Sequence, residues 1–259
     1  MIDREQPWMF AIDDLPPEPL AGGPLFEGLD ARTISRGADG ACTLLLEVPA
    51  GYVGDAHPDG RLDLFVLSGA LSVAGTELAG GGFVTLARGE TRVATGEHAA
   101  RAIAIWQPGG TARPAGAAPH TASAWDRAWE TNTQAGTPFG LMRRRLREDD
   151  AGAPQGPAGG WVRLVHVVPG WCTDGQERHA GCWEENILLR GDVYMADRGA
   201  AIRTGDCLAN PPGHWHGPMA TKAGALFLVH CDAPMGVELR EEGVHEDELQ
   251  RYLVEAPWS

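Results

Sequence analysis

Hydrophobic residues come in short runs along this chain, and turn residues bound nearly every run. ACTLLLEVPAG (41–51), LDLFVLSGALSVAG (62–75), GGFVTLA (81–87) and ARAIAIW (100–106) are apolar or alternate with period two. WVRLVHVVPG (161–170), ENILLRGDVYMA (185–196), GDCLANPP (205–212) and ALFLVHCDAP (225–234) repeat the pattern. Short strands punctuated by Gly and Pro predict an antiparallel sandwich or barrel, so the expected class is all-β. Residues 1–40, rich in Pro, Gly and acidic side chains, read as a leading arm with one strand. QPGGTARPAGAAPHTA (107–122) reads as a linker. TASAWDRAWE (121–130) reads as a short helix or a docking segment, and 149–160 as a loop. LMRRRLRE (141–148) reads as a strand or helix edge facing water, and HEDELQRYLVEAP (245–257) as one amphipathic C-terminal helix.

The two blocks of strands share their spacing, which predicts a duplicated β module. His179 lies 12 residues before Gly191, and His57 lies 12 before Gly69. A carboxylate stands two residues ahead of each His, Glu177 and Asp55. Gly205 is followed at +6, +8 and +11 by Pro211, Gly213 and His216; Gly81 is followed at the same offsets by Ala87, Gly89 and Arg92. The expected domains are therefore 1–122 and 123–259. The copies differ where chemistry would sit. Leu62 stands for Glu184 and Arg92 for His216, and neither can offer a lone pair to a metal. The N-terminal copy is expected to be degenerate.

Composition narrows the function classes. The net charge of −14 argues against a nucleic acid or an anionic membrane as partner. No apolar run reaches the roughly 18 residues of a membrane span, and no basic-then-apolar leader opens the chain. The five cysteines form no CxxC pair, so free thiols in a cytoplasmic protein are expected.

Candidate chemistry concentrates in Gly170–Pro218. His179 and Glu184 lie in one turn and His214 and His216 in another, ligand types that suit a borderline divalent metal. Glu185 points to the opposite face if Glu184 sits on a strand; it is the second choice for the carboxylate and a candidate for moving protons. His214 is two residues before His216, so strand alternation would put both on one face; it is either a general acid/base at the mouth of the site or a rim His bonded to backbone. Trp183 and Trp215 either wall a pocket or pack outside the barrel. Pro211-Pro212-Gly213 is expected to make the tight turn that delivers His216.

The same residues carry a resemblance. Glu177-Arg178-His179, four residues, Glu184, six residues and Gly191 resemble the first cupin motif, with Glu177 in place of its leading His. Gly205-x5-Pro211-Pro212-Gly213-x2-His216 resembles the second, with Ala220 where Asn is usual. RHAGCWEENILLRG and NPPGHWHGP are similar to the subgroup holding anti-sigma-factor cupins and acetylacetone-cleaving dioxygenases. The resemblance is strong over 160–235 and weak over 41–106, as in a bicupin with one live site. It implies two tandem cupin barrels with a short C-terminal helix. It implies one divalent ion held by His179, Glu184, His216 and Glu177, or by the first three alone. Two carboxylates and two imidazoles favour Fe(II) or Mn(II), with Zn(II) as the alternative.

The activity this implies is O2-dependent C–C cleavage of a diketone or hydroxy-ketone. Redox-neutral cupin chemistry (a cyclase, isomerase, dehydratase or decarboxylase) and non-enzymatic sensing of a ligand or oxidant are the alternatives. The expected partners are a small-molecule substrate and a second copy of the chain, paired through sheet edges.

Overall fold

The computed structural model describes residues 3–20, 26, 28–56, 59–86, 89, 91–108, 120–131, 139–148, 160–240 and 246–254. Most of them lie in antiparallel strands, and the α-helix among them is Glu246–Val254. Among the described residues, no helix is long and apolar enough to cross a membrane. His57 and residues 109–119 of the expected linker lie outside the described residues, as do 149–159 of the expected loop. His120–Ser123, which falls at the end of that linker, is a strand paired with Gly82–Leu86. The expected helix after it is a single 3-10 turn, Ala124–Asp126, capped by the Ser123 hydroxyl.

The described residues form two compact units, one from Ile12 to Arg127 and the other from Gly160 to the C-terminal helix. The second unit also takes in Glu5–Ala11 and the strands Glu130–Thr131 and Leu141–Glu148. In the first unit, one sheet runs in the order His120–Ser123, Gly82–Leu86, Arg61–Ser68, Ala100–Gln107, Cys42–Val48, Asp30–Arg36 and Glu18–Pro19. Val53–Ala56, Thr91–Ala94, Ala70–Val73 and Thr76–Ala79 make its companion sheet. In the second unit, the sheet runs Trp8–Ala11, Asp206–Asn210, Glu184–Met195, Ala225–Cys231, Trp161–Val167, Leu141–Glu148 and Glu130–Thr131. Gln176–Arg178 pairs with Glu238–Arg240.

Strand register shows the duplication directly. Leu62 faces Leu86 on one side and Trp106 on the other. Glu184 faces Asn210 and Cys231 in the same way. Asp55 pairs with Arg92, and Glu177 pairs with His216. The shared motif glycine also has a steric reason. Gly69 and Gly191 have φ of +74° and +97°, and a Cβ on either would collide with a backbone carbonyl, that of Ala99 or Gly224.

The interiors differ. Alternate residues of Arg61–Ser68 turn Leu62, Leu64 and Val66 inward, where they meet Leu44, Leu46, Val84, Leu86 and Trp106 in a continuous buried core. The second unit keeps an apolar lining of Leu188, Val193, Leu208, Phe227 and Val229. Glu184, Asn186 and Asn210 interrupt it beside a cavity of about 480 Å³.

Candidate metal centre

Two hairpins deliver the cluster. The first carries Glu177 on Gln176–Arg178, then His179, then Glu184 at the start of Glu184–Met195. The second leaves Asp206–Asn210 through Pro211-Pro212-Gly213 and returns as His216. Gly213 has φ of +77° and donates its N–H to the His179 carbonyl at 2.8 Å. Glu177 and His216 exchange backbone hydrogen bonds at 3.0 and 2.9 Å, which locks the hairpins in register.

The side chains converge. His179 Nε2 and His216 Nε2 both lie 3.6 Å from Glu184 Oε2, and His216 Nε2 lies 3.5 Å from Glu177 Oε1. The ligand atoms of Glu177, His179 and His216 lie within 4.8 Å of one another, and the two rings are 5.2 Å apart. Two atoms bound to one ion at about 2.1 Å stand roughly 3–4 Å apart. The His179–Glu184, His216–Glu184 and His216–Glu177 pairs have that spacing.

Each imidazole is oriented by backbone. His179 Nδ1 bonds the Gly236 carbonyl at 3.2 Å, and His216 Nδ1 bonds the His214 carbonyl at 3.2 Å. A carbonyl only accepts, so each Nδ1 carries a proton, and a ring with no second proton has its lone pair on Nε2. Both Nε2 atoms are buried and have no hydrogen-bond partner. Donor atoms left so, beside two carboxylates, fit a divalent cation.

Glu184 is held in turn. Asn210 Nδ2 donates to its Oε2 at 2.9 Å, and Arg198 donates to Asn210 Oδ1 at 2.6 Å and to the Trp8 carbonyl at 2.7 Å. Burial raises the Glu177 carboxyl, but the neighbouring His216 and His179 imidazoles outweigh that, and the net shift is downward. Burial lowers His216, yet Glu177 and Glu184 carry it above its ordinary value.

Of the candidates read from sequence, Glu177, His179, Glu184 and His216 are brought together and line the cavity; His214 and Glu185 do not line it. His214 follows a turn rather than sitting on a strand, so period-two alternation does not apply; its carbonyl orients His216. Burial, then Arg198 and His216, lower its imidazole. Glu185 is buried on the opposite face from Glu184, with Oε2 3.9 Å from His230 Nδ1. Asp63 holds the same register in the first unit, also buried, where it accepts a hydrogen bond from Thr85. The expectation that His214 and Glu185 act on substrate does not fit these positions. Trp183 and Trp215 are not cavity walls either: Trp183 is buried beside Asp232, and Trp215 lies between Arg178 and Arg240.

Trp161, Trp171 and Phe227 wall the cavity instead. Trp161 was legible, because alternation in WVRLVHV places 161, 163, 165 and 167 on one face. Asn210 carried no signal beyond its place before the Pro-Pro-Gly turn. The five cysteines are free thiols. Burial raises Cys207 and Cys231 well above the usual range, which makes them inert structural groups.

No family model and no curated protein matches the chain. Solved structures do. A provisionally assigned dioxygenase from Nostoc punctiforme superposes with a TM-score of 0.74 at 16% identity, over 91% of this chain and 87% of that one. Oxalate decarboxylase from Lactobacillus farciminis, as its formate complex, gives 0.60 at 11%, over 89% and 88%. A provisionally assigned glyoxylate-induced protein from Pseudomonas aeruginosa gives 0.60 at 14%, over 86% and 84%. At these identities the likeness speaks to fold alone: the chain is all-β and built of two tandem cupin-type barrels with a short C-terminal helix.

Proposed function

We propose that the protein is a metal-dependent enzyme acting on a small organic molecule, with O2-dependent C–C cleavage of a diketone or hydroxy-ketone as its reaction. One observation carries this reading: two partnerless imidazole nitrogens and two carboxylates face one point beside a cavity of about 480 Å³. Glu177, His179, Glu184 and His216 would hold Fe(II) or Mn(II), with Zn(II) as the alternative. A bound ion of this kind supplies Lewis acidity and, for iron, electrons for O2 chemistry. The cavity suits a small ligand in size. Trp161, Trp171 and Phe227 pack its apolar body and exclude water. The Gly236 and His214 carbonyls keep both Nε2 atoms aimed inward, and Asn210 fixes one oxygen of Glu184. The likeness to the Nostoc protein, named a dioxygenase, favours this chemistry. Apoprotein reconstituted with Fe(II) is expected to consume O2 with a β-diketone and release two carbonyl fragments. No uptake across a diketone panel would contradict the reading.

A second reading has its own observation. Glu177 is the more open carboxylate, with 30% of its side chain exposed against 10% for Glu184. Standing off the ion, it would serve as a base beside a two-His, one-Glu set, and the reaction would be redox-neutral proton transfer or decarboxylation. The structurally similar oxalate decarboxylase of Bacillus subtilis has Mn(II) centres. Undiminished turnover under strict anaerobiosis would favour this reading over the first.

A further inference from the structure

We infer that Asn186 sets the specificity of this cavity: its side-chain amide takes a further, neutral oxygen of the substrate while the reacting carbonyl faces the His179–His216 cluster. This deepens the function proposed above and rests on the cluster holding a divalent ion. Among the described residues, the hydroxyl and amide side chains that line the cavity are Thr173, Gln176, Asn186 and Asn210. All but Asn186 are held by the protein. The Thr173 hydroxyl accepts from the Met219 N–H at 2.8 Å. Gln176 donates to the Gly217 carbonyl at 2.9 Å and accepts from Arg240 at 2.8 Å. Asn210 donates to Glu184 and accepts from Arg198. Among the described residues, nothing hydrogen-bonds the Asn186 amide.

The amide stands in an apolar row. Asn186 faces Leu208 on one side and Val229 on the other, and all three line the cavity. In the first unit the matching row is Val84, Leu64 and Ala104, wholly inside the buried core. An asparagine thus replaces a core leucine in the barrel that has a cavity. It forgoes the apolar burial a leucine would give and keeps a donor and an acceptor for what fills the space. Its placement suits a ligand held at the cluster. Asn186 is two residues after Glu184 on one face of a single strand, roughly 7 Å between α-carbons. That separation leaves room for a short carbon link between an oxygen on the ion and an oxygen on the amide.

The rest of the lining decides the character of that oxygen. Arg143 lies beside Glu130, Arg240 is bonded to Gln176, and Arg163 lies over the Trp161 ring. Each of these lining guanidinium groups already has a partner. A neutral amide pairs with a keto, ether or hydroxyl oxygen. A carboxylate would lose its hydration among Val165, Phe227 and Val229 for no opposite charge. The substrate class is therefore a neutral diketone or hydroxy-ketone with one oxygen beyond those that reach the ion.

The test compares 1-methoxypentane-2,4-dione with heptane-2,4-dione, in which a methylene replaces the ether oxygen. Calorimetric titration uses the full chain loaded with Zn(II), which binds without redox chemistry. The two probes differ in hydration, but that difference is common to wild type and variants, so the readout is the ether-to-methylene affinity ratio. The ratio is expected to fall about three- to tenfold in Asn186→Ala and in Asn186→Leu, the loss of one neutral hydrogen bond, with zinc content unchanged. Alanine opens space and leucine fills it, so a fall shared by both comes from the amide and not from volume. A purely structural asparagine would weaken both probes equally and leave the ratio alone. A ratio unchanged in either variant, or binding of neither probe by the zinc-loaded wild type, would overturn the inference. Zinc content, read on the same samples, separates the failures. A site that takes no ion contradicts the proposed function and this inference with it, whereas a loaded site with an unchanged ratio contradicts the amide subsite alone.

Discussion

The two barrels share their strand register and differ in what fills it. At one position the N-terminal unit has Leu62 facing Leu86 and Trp106, and the C-terminal unit has Glu184 facing Asn210 and Cys231. One strand further, Cys42 stands beside Trp106, while Trp161 stands beside Cys231. In the first unit an indole and leucines plug the interior. In the second the indole moves to the wall, and polar side chains surround space. Packed apolar interiors stabilise by removing area from water, whereas a cavity forgoes contacts. The same backbone is thus filled once by packed apolar side chains and once by polar side chains around a cavity.

The largest effect should come from making the second barrel resemble the first. Glu184→Leu installs the residue that the N-terminal unit carries at that register. Metal affinity should fall by roughly 100-fold or more, read as Mn(II) retained after gel filtration, with turnover lost in parallel. The reciprocal core change, Leu64→Ala, should destabilise the protein by about 2–5 kcal/mol and leave metal content untouched, as read by urea unfolding and elemental analysis.

Ligand linkage sharpens the contrast. Mn(II) at a hundred times its Kd should stabilise the native state by about 2.7 kcal/mol. Hydrogen exchange should then slow around 176–240 and stay unchanged across 42–107. Smaller still, Asn210→Ala frees one oxygen of Glu184 and should weaken metal binding by roughly tenfold without loss of fold, as read by competition with a chromophoric chelator. Smallest of all, His214→Ala should leave turnover and metal content at wild-type levels, because the group that orients His216 is its backbone carbonyl. A large loss of rate with normal metal content would restore His214 to the reaction.

Much of this contrast was legible in the sequence, for identifiable reasons. Period-two runs bounded by Gly and Pro mark strands because side chains alternate across a sheet. Equal offsets around Gly69 and Gly191 betray duplication because both sites forbid a Cβ. Leu62 against Glu184 marked which copy is plugged. What escaped notice depends on distant pairing or irregular backbone. Trp8–Ala11 pairs with Asp206–Asn210, a partner that no local pattern names. His214 was placed by strand alternation, but the backbone there is a turn. Arg143 sits in a run of arginines that reads as a wetted edge, yet it lines the cavity, and Leu146 and Arg147 in the same run are buried. A basic run does not reveal which of its members face inward.

Metal analysis of the protein saturated with Mn(II) and freed of excess ion tests the central claim most directly, with the wild type set beside His179→Ala and His216→Ala. A single tightly held ion per chain in the wild type, lost in both variants while their folds persist, is the predicted result. An ion-free wild type, or an ion retained after either imidazole is removed, would contradict it.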